Sequence, residues 1–210
     1  YLVDGSHTTT VSSGVELQID GPVNLGRQAT STGVGTADGT LVLGSNSVLD
    51  VGTPTARANL NLGWNESNNA ASDATGELNA LDGVANLRLN ELNIGRSTRG
   101  QSATGTLLWD QAGAIDATAI YLSRGAGAVG TIETPAGGTL RLGSATTPVG
   151  SLLIGWNDTT FAGAASGTLD LTTTNPLFEA VISNELGERQ RIGGLNQGDF
   201  EFFHFCTLWL

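Results

Sequence analysis

Leu60-Asn61-Leu62-Gly63 and Leu92-Asn93-Ile94-Gly95 are two copies of one pattern: apolar, any residue, apolar, small. It occurs upstream as Val23-Asn24-Leu25-Gly26 and downstream as Ile120-Tyr121-Leu122-Ser123 and Leu152-Leu153-Ile154-Gly155. Arg191-Ile192-Gly193 reads as a weaker sixth copy. The small residues fall at 26, 63, 95, 123, 155 and 193, so the steps between them are 37, 32, 28, 32 and 38 residues. A period of about 33 residues is the signature of a repeat architecture.

Two more segments return in each period. One usually begins Gly-Thr: Gly39-Thr40-Leu41-Val42-Leu43, Gly76-Glu77-Leu78, Gly105-Thr106-Leu107, Gly130-Thr131-Ile132 and Gly167-Thr168-Leu169-Asp170-Leu171. The other is Leu49-Asp50-Val51, Leu87-Arg88-Leu89, Ile115-Asp116-Ala117, Leu140-Arg141-Leu142 and Phe178-Glu179-Ala180. Apolar residues two apart share one face of a strand, and Gly, Ser, Thr and Asn fill the intervals as turns. Each period therefore predicts three short strands. Helical periodicity is hard to find, which argues against strand–helix–strand units. The predicted fold is all-β: a parallel β-solenoid of about five to six coils with three strands each. One coil cannot bury its apolar row alone, so neighbours must stack about 4.8 Å apart. A β-sandwich, the rival architecture, also has many short strands, but it does not need the same positions to return. On this reading residues 1–14 are a lead-in or cap, 15–180 the repeats, and 181–210 a C-terminal cap or assembly segment.

Composition agrees. The chain has 210 residues, 39% of them hydrophobic, which is ample for a core and unlike a disordered chain. Its 30 glycines do not recur every third residue, so it is not collagen. The net charge is −11 and all nine cations are arginines. Nucleic-acid binding needs a basic face and is not expected; the acidity is read as a solubility device. Cys206 is alone, which excludes an internal disulfide framework and a Cys-rich zinc site. No run of about 20 apolar residues predicts a membrane span. The missing initiator methionine reads as a processed chain or a fragment, from which a secretion signal could have been removed.

Aligning the repeats creates columns of outward residues. In the third strand the column reads Asp50, Arg88, Asp116, Arg141, Glu179, with strictly alternating sign. Stacked opposite charges stabilise by a few tenths to about 1 kcal/mol, so this is read as a structural charge ladder. In the first strand Asn24, Asn61 and Asn93 align, then Tyr121 and Leu153. Asparagine is poor in strands, and stacked amides can form a ladder. After the small residue comes Arg27, Trp64, Arg96, Arg124, Trp156. Guanidinium groups stack on indoles for about 0.5–1 kcal/mol at exposed sites. This stripe is read either as a ladder covering the coil edges or as a binding surface for sugar rings or a partner.

These segments resemble the glycine-rich repeats of bacterial autotransporter passengers and related secreted β-helix proteins. In that style Leu-x-Ile-Gly is followed by a variable loop and Gly-Thr-Leu, as in Leu92-Asn93-Ile94-Gly95 with Gly105-Thr106-Leu107. The likeness covers about residues 15–180 and implies export and an extracellular or surface role. No membrane-barrel domain accompanies the repeats in this chain.

Catalytic chemistry is not expected. β-Helix glycosidases and lyases need clustered carboxylates, whereas the twenty acids here are scattered singly. His7 and His204 lie near opposite ends, against a His-based triad or multi-His metal site. No cofactor or metal is expected, and the Asp-Gly pairs read as turns. Asn65-Glu66-Ser67 and Asn157-Asp158-Thr159 match the N-glycosylation pattern in loops expected to be exposed. An ice-binding face would need a regular threonine array, and Thr8-Thr9-Thr10 and Thr172-Thr173-Thr174 are isolated runs. The tail carries Phe200, Phe202, Phe203, Phe205 and Trp209. So much apolar surface must cap the last coil, enter a neighbouring subunit or meet further chain. The expected function is an extracellular structural or adhesive protein, self-associating end to end. The alternatives are a carbohydrate-binding module and a polysaccharide-active enzyme.

Overall fold

The computed structural model describes residues 5–29, 35–170, 177–183 and 189–193, the last two segments and residue 170 by backbone alone. All regular structure in them is β. The first repeat contributes β1 (Gly5–Val11), β2 (Glu16–Ile19) and β3 (Val23–Gln28); the second β4 (Gly35–Leu43), β5 (Val48–Val51) and β6 (Ala58–Asn65). Next come β7 (Ser72–Ala80) and β8 (Val84–Ser97), then β9 (Ser102–Trp109) and β10 (Asp116–Arg124). The fifth repeat holds β11 (Ala128–Glu133), β12 (Thr139–Leu142) and β13 (Ser151–Trp156). β14 (Ser166–Asp170), β15 (Leu177–Ser183) and β16 (Arg189–Gly193) follow.

One sheet has the order β1-β4-β7-β9-β11-β14. A second runs β13-β10-β8-β5-β2, with β3 joined to β8 through β6. Every pairing in these two sheets is parallel and links strands one repeat apart. At the Gly-Thr segments and the four-residue pattern the register is the one the repeats predict. Gly39, Gly76, Gly105, Gly130 and Gly167 align in the first sheet. Leu25, Leu62, Ile94, Leu122 and Ile154 align in the second. Apolar columns such as Leu41-Leu78-Leu107-Ile132 and Leu60-Leu92-Ile120 form one buried core. Each fully buried Leu or Ile contributes about 1.5–3 kcal/mol.

Glycine allows the two sheets to meet backbone to backbone. The small residue of the four-residue pattern has φ between 62° and 72° in its five full copies: Gly26 (62°), Gly63 (66°), Gly95 (72°), Ser123 (69°) and Gly155 (67°). A Cβ on Gly63 would overlap the Thr104 carbonyl, and one on Gly105 would overlap the Gly95 amide. No side chain fits between the sheets at this seam. Ser123 is the exception, and its Oγ donates to the Ala128 carbonyl at 2.8 Å.

Three sequence expectations change. The third and first strands of a repeat are continuous in β8, which pairs with β5 through Val84–Leu87 and with β6 through Leu89–Ser97. Within the expected lead-in or cap, β1 forms a parallel edge strand, with His7 opposite Gly39. The supposed sixth copy, Arg191-Ile192-Gly193, lies in β16, antiparallel to β15. Five residues separate those strands; a parallel return needs a crossover of about a dozen or more.

The charge ladder also has a different register. Arg88 faces Asp116, and Arg141 faces Glu179. Asp50, however, faces Asn86, which donates to it at 3.0 Å, and reaches Arg88 only diagonally at 3.6 Å. Ile115 bridges Leu142 rather than Leu140, so Arg141 does not stand opposite Asp116. Asp116 instead receives Arg57, from the loop before β6, at 2.7 Å. Corner loops of unequal length shift this side by two residues, a slip that keeps the same residues facing inward.

Candidate functional site

The arginine–aromatic stripe is the site that the fold builds most completely. Two residues apart in a strand normally means the same face. The positive-φ residue breaks that alternation, so Arg27 comes to the surface while Leu25 packs on the core and Gln28 is buried. The same bend acts in every repeat. Arg27, Trp64, Arg96, Arg124 and Trp156 therefore stand in successive register positions across β3, β6, β8, β10 and β13.

Their contacts are close. Trp64 is sandwiched between the guanidinium groups of Arg27 and Arg96, at 4.1 and 4.6 Å from its ring centre. Arg124 lies 4.4 Å from the Tyr121 ring and 5.4 Å from that of Trp156. Tyr121 and Trp156 stack with centroids 5.5 Å apart. Beside the stripe, Asn93 donates to Asn61 at 3.0 Å and Asn61 to Asn24 at 2.8 Å. The amide ladder stops at Tyr121, and Asn93 Oδ1 is left buried without a partner.

A second motif accompanies the tryptophans. Gly63-Trp64-Asn65-Glu66 and Gly155-Trp156-Asn157-Asp158 share one pattern. In both, the tryptophan stacks on the arginine one repeat back and the acid clamps that arginine. Glu66 accepts from Arg27 Nε at 2.9 Å and Nη2 at 2.6 Å. Asp158 accepts from Arg124 Nε at 2.9 Å, and Glu91 lies 3.4 Å from Arg124. The asparagine shapes the loop that carries the acid: Asn65 accepts from the Ser67 amide, and Asn157 from the Thr159 amide. The sequence reading took these asparagines as possible glycosylation sites and missed the clamp. The recurring Gly-Trp-Asn-acid string was the available signal. Asn65 is fully buried and donates to the Ser72 and Ser102 carbonyls, although Asn68, Ala70 and Ala71 of the same loop are exposed. Asn157 is exposed, but its amide donates to the Phe161 and Gly163 carbonyls.

Arg96 differs from the other two arginines. Among the described residues it has no carboxylate within ion-pair distance. Glu66 and Asp158 each sit two residues after the tryptophan that follows their arginine. After Arg96 the next register position is Arg124, and two residues on is the buried Ala126. Burial, with the neighbouring Arg124 charge adding to it, pulls Arg96 below the ordinary arginine range. At Arg124 desolvation acts downward too, but the Asp158 hydrogen bond and charge outweigh it and raise that group.

A shallow cleft of about 210 Å³ opens at Arg96. Ser97, Thr98, Arg124 and residues 158–161, Asp158 among them, line it with Arg96. Loop length creates it: three residues join β10 to β11, whereas nine join β13 to β14. The long loop spans the recessed short one, and Phe161 at its tip reaches the Gly100 region.

No protein-family model, curated protein or solved structure matches this chain. Among the described residues no group of three or more His, Cys, Asp or Glu is placed to hold a metal ion, and no helix is long and apolar enough to cross a membrane. Of the charge column, Asp50, Arg88 and Asp116 are engaged in the ion pairs given above, while Arg141 donates to the Ala112 carbonyl. Phe200, Phe202, Phe203, Phe205 and Trp209 lie outside the described residues.

Proposed function

We propose that this chain is a parallel β-solenoid that serves outside the cell as a structural or adhesive surface protein and not as an enzyme. The observation that carries this reading is parallel pairing between strands one repeat apart, repeated through six strands of one sheet and the neighbouring sheet. A chain that coils returns to the same place once per repeat, which explains that pairing at every step. The outward columns support a scaffold role. Asparagines bond asparagines, arginines stack on aromatic rings, and acids clamp arginines, so most polar groups there serve the repeat itself. The export and surface role follows the likeness to autotransporter passenger repeats. Solenoid ends offer unpaired backbone for strand addition, and the aromatic residues of the 200–209 tail supply apolar area for an end-to-end joint.

Sedimentation and negative-stain microscopy of the full chain, with and without residues 199–210, test assembly. Filaments from the full chain and folded monomers from the shortened one are the expected result. A full chain that stays monomeric at high concentration overturns assembly, and a crystal structure whose cross-section does not close overturns the solenoid. Carbohydrate binding is the second reading, favoured by the cleft at Arg96.

A further inference from the structure

We propose that the Arg96 cleft binds the carboxylate of an acidic sugar, one uronate unit of a glycan chain, with the sugar ring packed against Phe161. The inference deepens the adhesive reading by giving it a ligand class, and it rests on that reading.

The molecule itself shows what the ligand replaces. Arg27 and Arg124 each hold a carboxylate from the following repeat, through Glu66 and Asp158. Arg96 occupies the equivalent register position, one face of its guanidinium already on Trp64. Its own clamp is missing because the following repeat carries Arg124 and then a short corner at Gly125-Ala126-Gly127. Ala126 is buried beneath the next loop, with the position of a Gly163 Cβ only 3.2 Å from its own. No side chain of that corner can supply an acid. Two arginines thus stand in adjacent register positions; Arg124 is paired with Asp158 and Glu91, whereas Arg96 makes no ion pair of its own among the described residues, and the Asp158 that lines the cleft is held by Arg124. A carboxylate from outside would give Arg96 the direct partner that Glu66 and Asp158 give Arg27 and Arg124. The planar guanidinium favours a carboxylate, which it can hold through two parallel bonds.

The rest of the cleft suits a sugar. Phe161 is 45% exposed, a large ring left open to solvent. The apolar face of a pyranose can pack on such a ring while its hydroxyls bond neighbouring polar groups. Thr98, Thr159 and Thr160 line the same opening; the Thr98 and Thr159 hydroxyls donate to the Asn65 carbonyl and to Asn157 Oδ1 and are left as acceptors for a sugar hydroxyl. Asn157 is a positioning residue: its bonds to the Phe161 and Gly163 carbonyls hold the loop that presents the ring. The stripe therefore divides. The Arg27–Trp64 end is closed by Glu66 and serves the scaffold, and the Arg96 end is open.

Calorimetric titration at low ionic strength tests the proposal with oligomers of galacturonic acid, the matching neutral galactose oligomers and sulfated dextran. The acidic oligomer is expected to bind and the neutral one not. Arg96→Gln and Phe161→Ala should each weaken binding about tenfold or more, and Arg27→Gln, altering the closed end, should leave it unchanged. Arg96→Lys keeps the charge but not the fork, and a folded Arg96→Lys protein is expected to bind less tightly. Equal loss in Arg27→Gln, undiminished binding by Arg96→Gln, equal binding of the neutral oligomer, or no binding by the wild type overturns the proposal. Tighter binding of sulfated dextran than of the uronate overturns the carboxylate assignment. Sedimentation of the same variants reports assembly separately, so lost binding with intact assembly rejects the ligand and spares the scaffold reading.

Discussion

Gly63→Ala probes the seam on which the two sheets meet. Gly63 has φ +66°, and its added Cβ would overlap the carbonyl of Thr104. That carbonyl belongs to β9, paired on both sides by β7 and β11, so it cannot retreat as the end of a flexible side chain could. The left-handed backbone costs alanine about 1–2 kcal/mol. Forcing atoms into a packed interior adds about 1–3 kcal/mol. The expected loss is therefore about 2–5 kcal/mol, a large part of the stability of a typical domain. Urea unfolding followed by far-ultraviolet circular dichroism measures it as a lower midpoint with little change in slope. Gly113→Ala is the control, because nothing lies within 4 Å of its Cβ and its φ is not positive; it should shift stability by no more than about 0.5 kcal/mol. Ser123→Gly is the converse: relief at φ +69° is offset by loss of the bond to the Ala128 carbonyl. Its expected net effect is within about 1 kcal/mol. Equal midpoints for Gly63→Ala and Gly113→Ala would refute the backbone seam.

Asn61→Leu removes the middle of the amide ladder, taking the acceptor from Asn93 and the donor from Asn24. Thermal melts should show a loss of about 1–3 kcal/mol, and no loss would mean that the ladder is incidental. Asp116→Arg places a third cation beside Arg88 and Arg57. It should destabilise by about 1 kcal/mol at low salt, less at high salt, and adding Arg57→Ala should restore part of it. A salt-independent effect would show that charge is not the cause.

Much of this architecture follows from strings that can be read directly. Parallel pairing between repeats sets like against like, so the Leu-Asn-Leu-Gly and Gly-Thr-Leu segments that recur in the sequence also stand side by side in space. The stripe from Arg27 to Trp156 and the Asn24-Asn61-Asn93 ladder were legible for the same reason. What each stripe residue touches was less so. Glu66 is 39 residues from Arg27 and Asp158 is 34 from Arg124, so loop length hides one rule behind unequal spacings.

The sequence by itself determined the strand class, the period, the apolar columns and the surface stripe, because side-chain alternation and in-register stacking depend only on local order and repeat spacing. Only the tertiary structure decided where that order slips. Unequal corner loops shift Arg141 out of line with Asp116, fold Asn65 inward, turn β16 antiparallel and leave Arg96 without its acid. The physical reason is that a corner is set by how its loop packs on the repeats above and below, and those neighbours lie some thirty residues away in the chain.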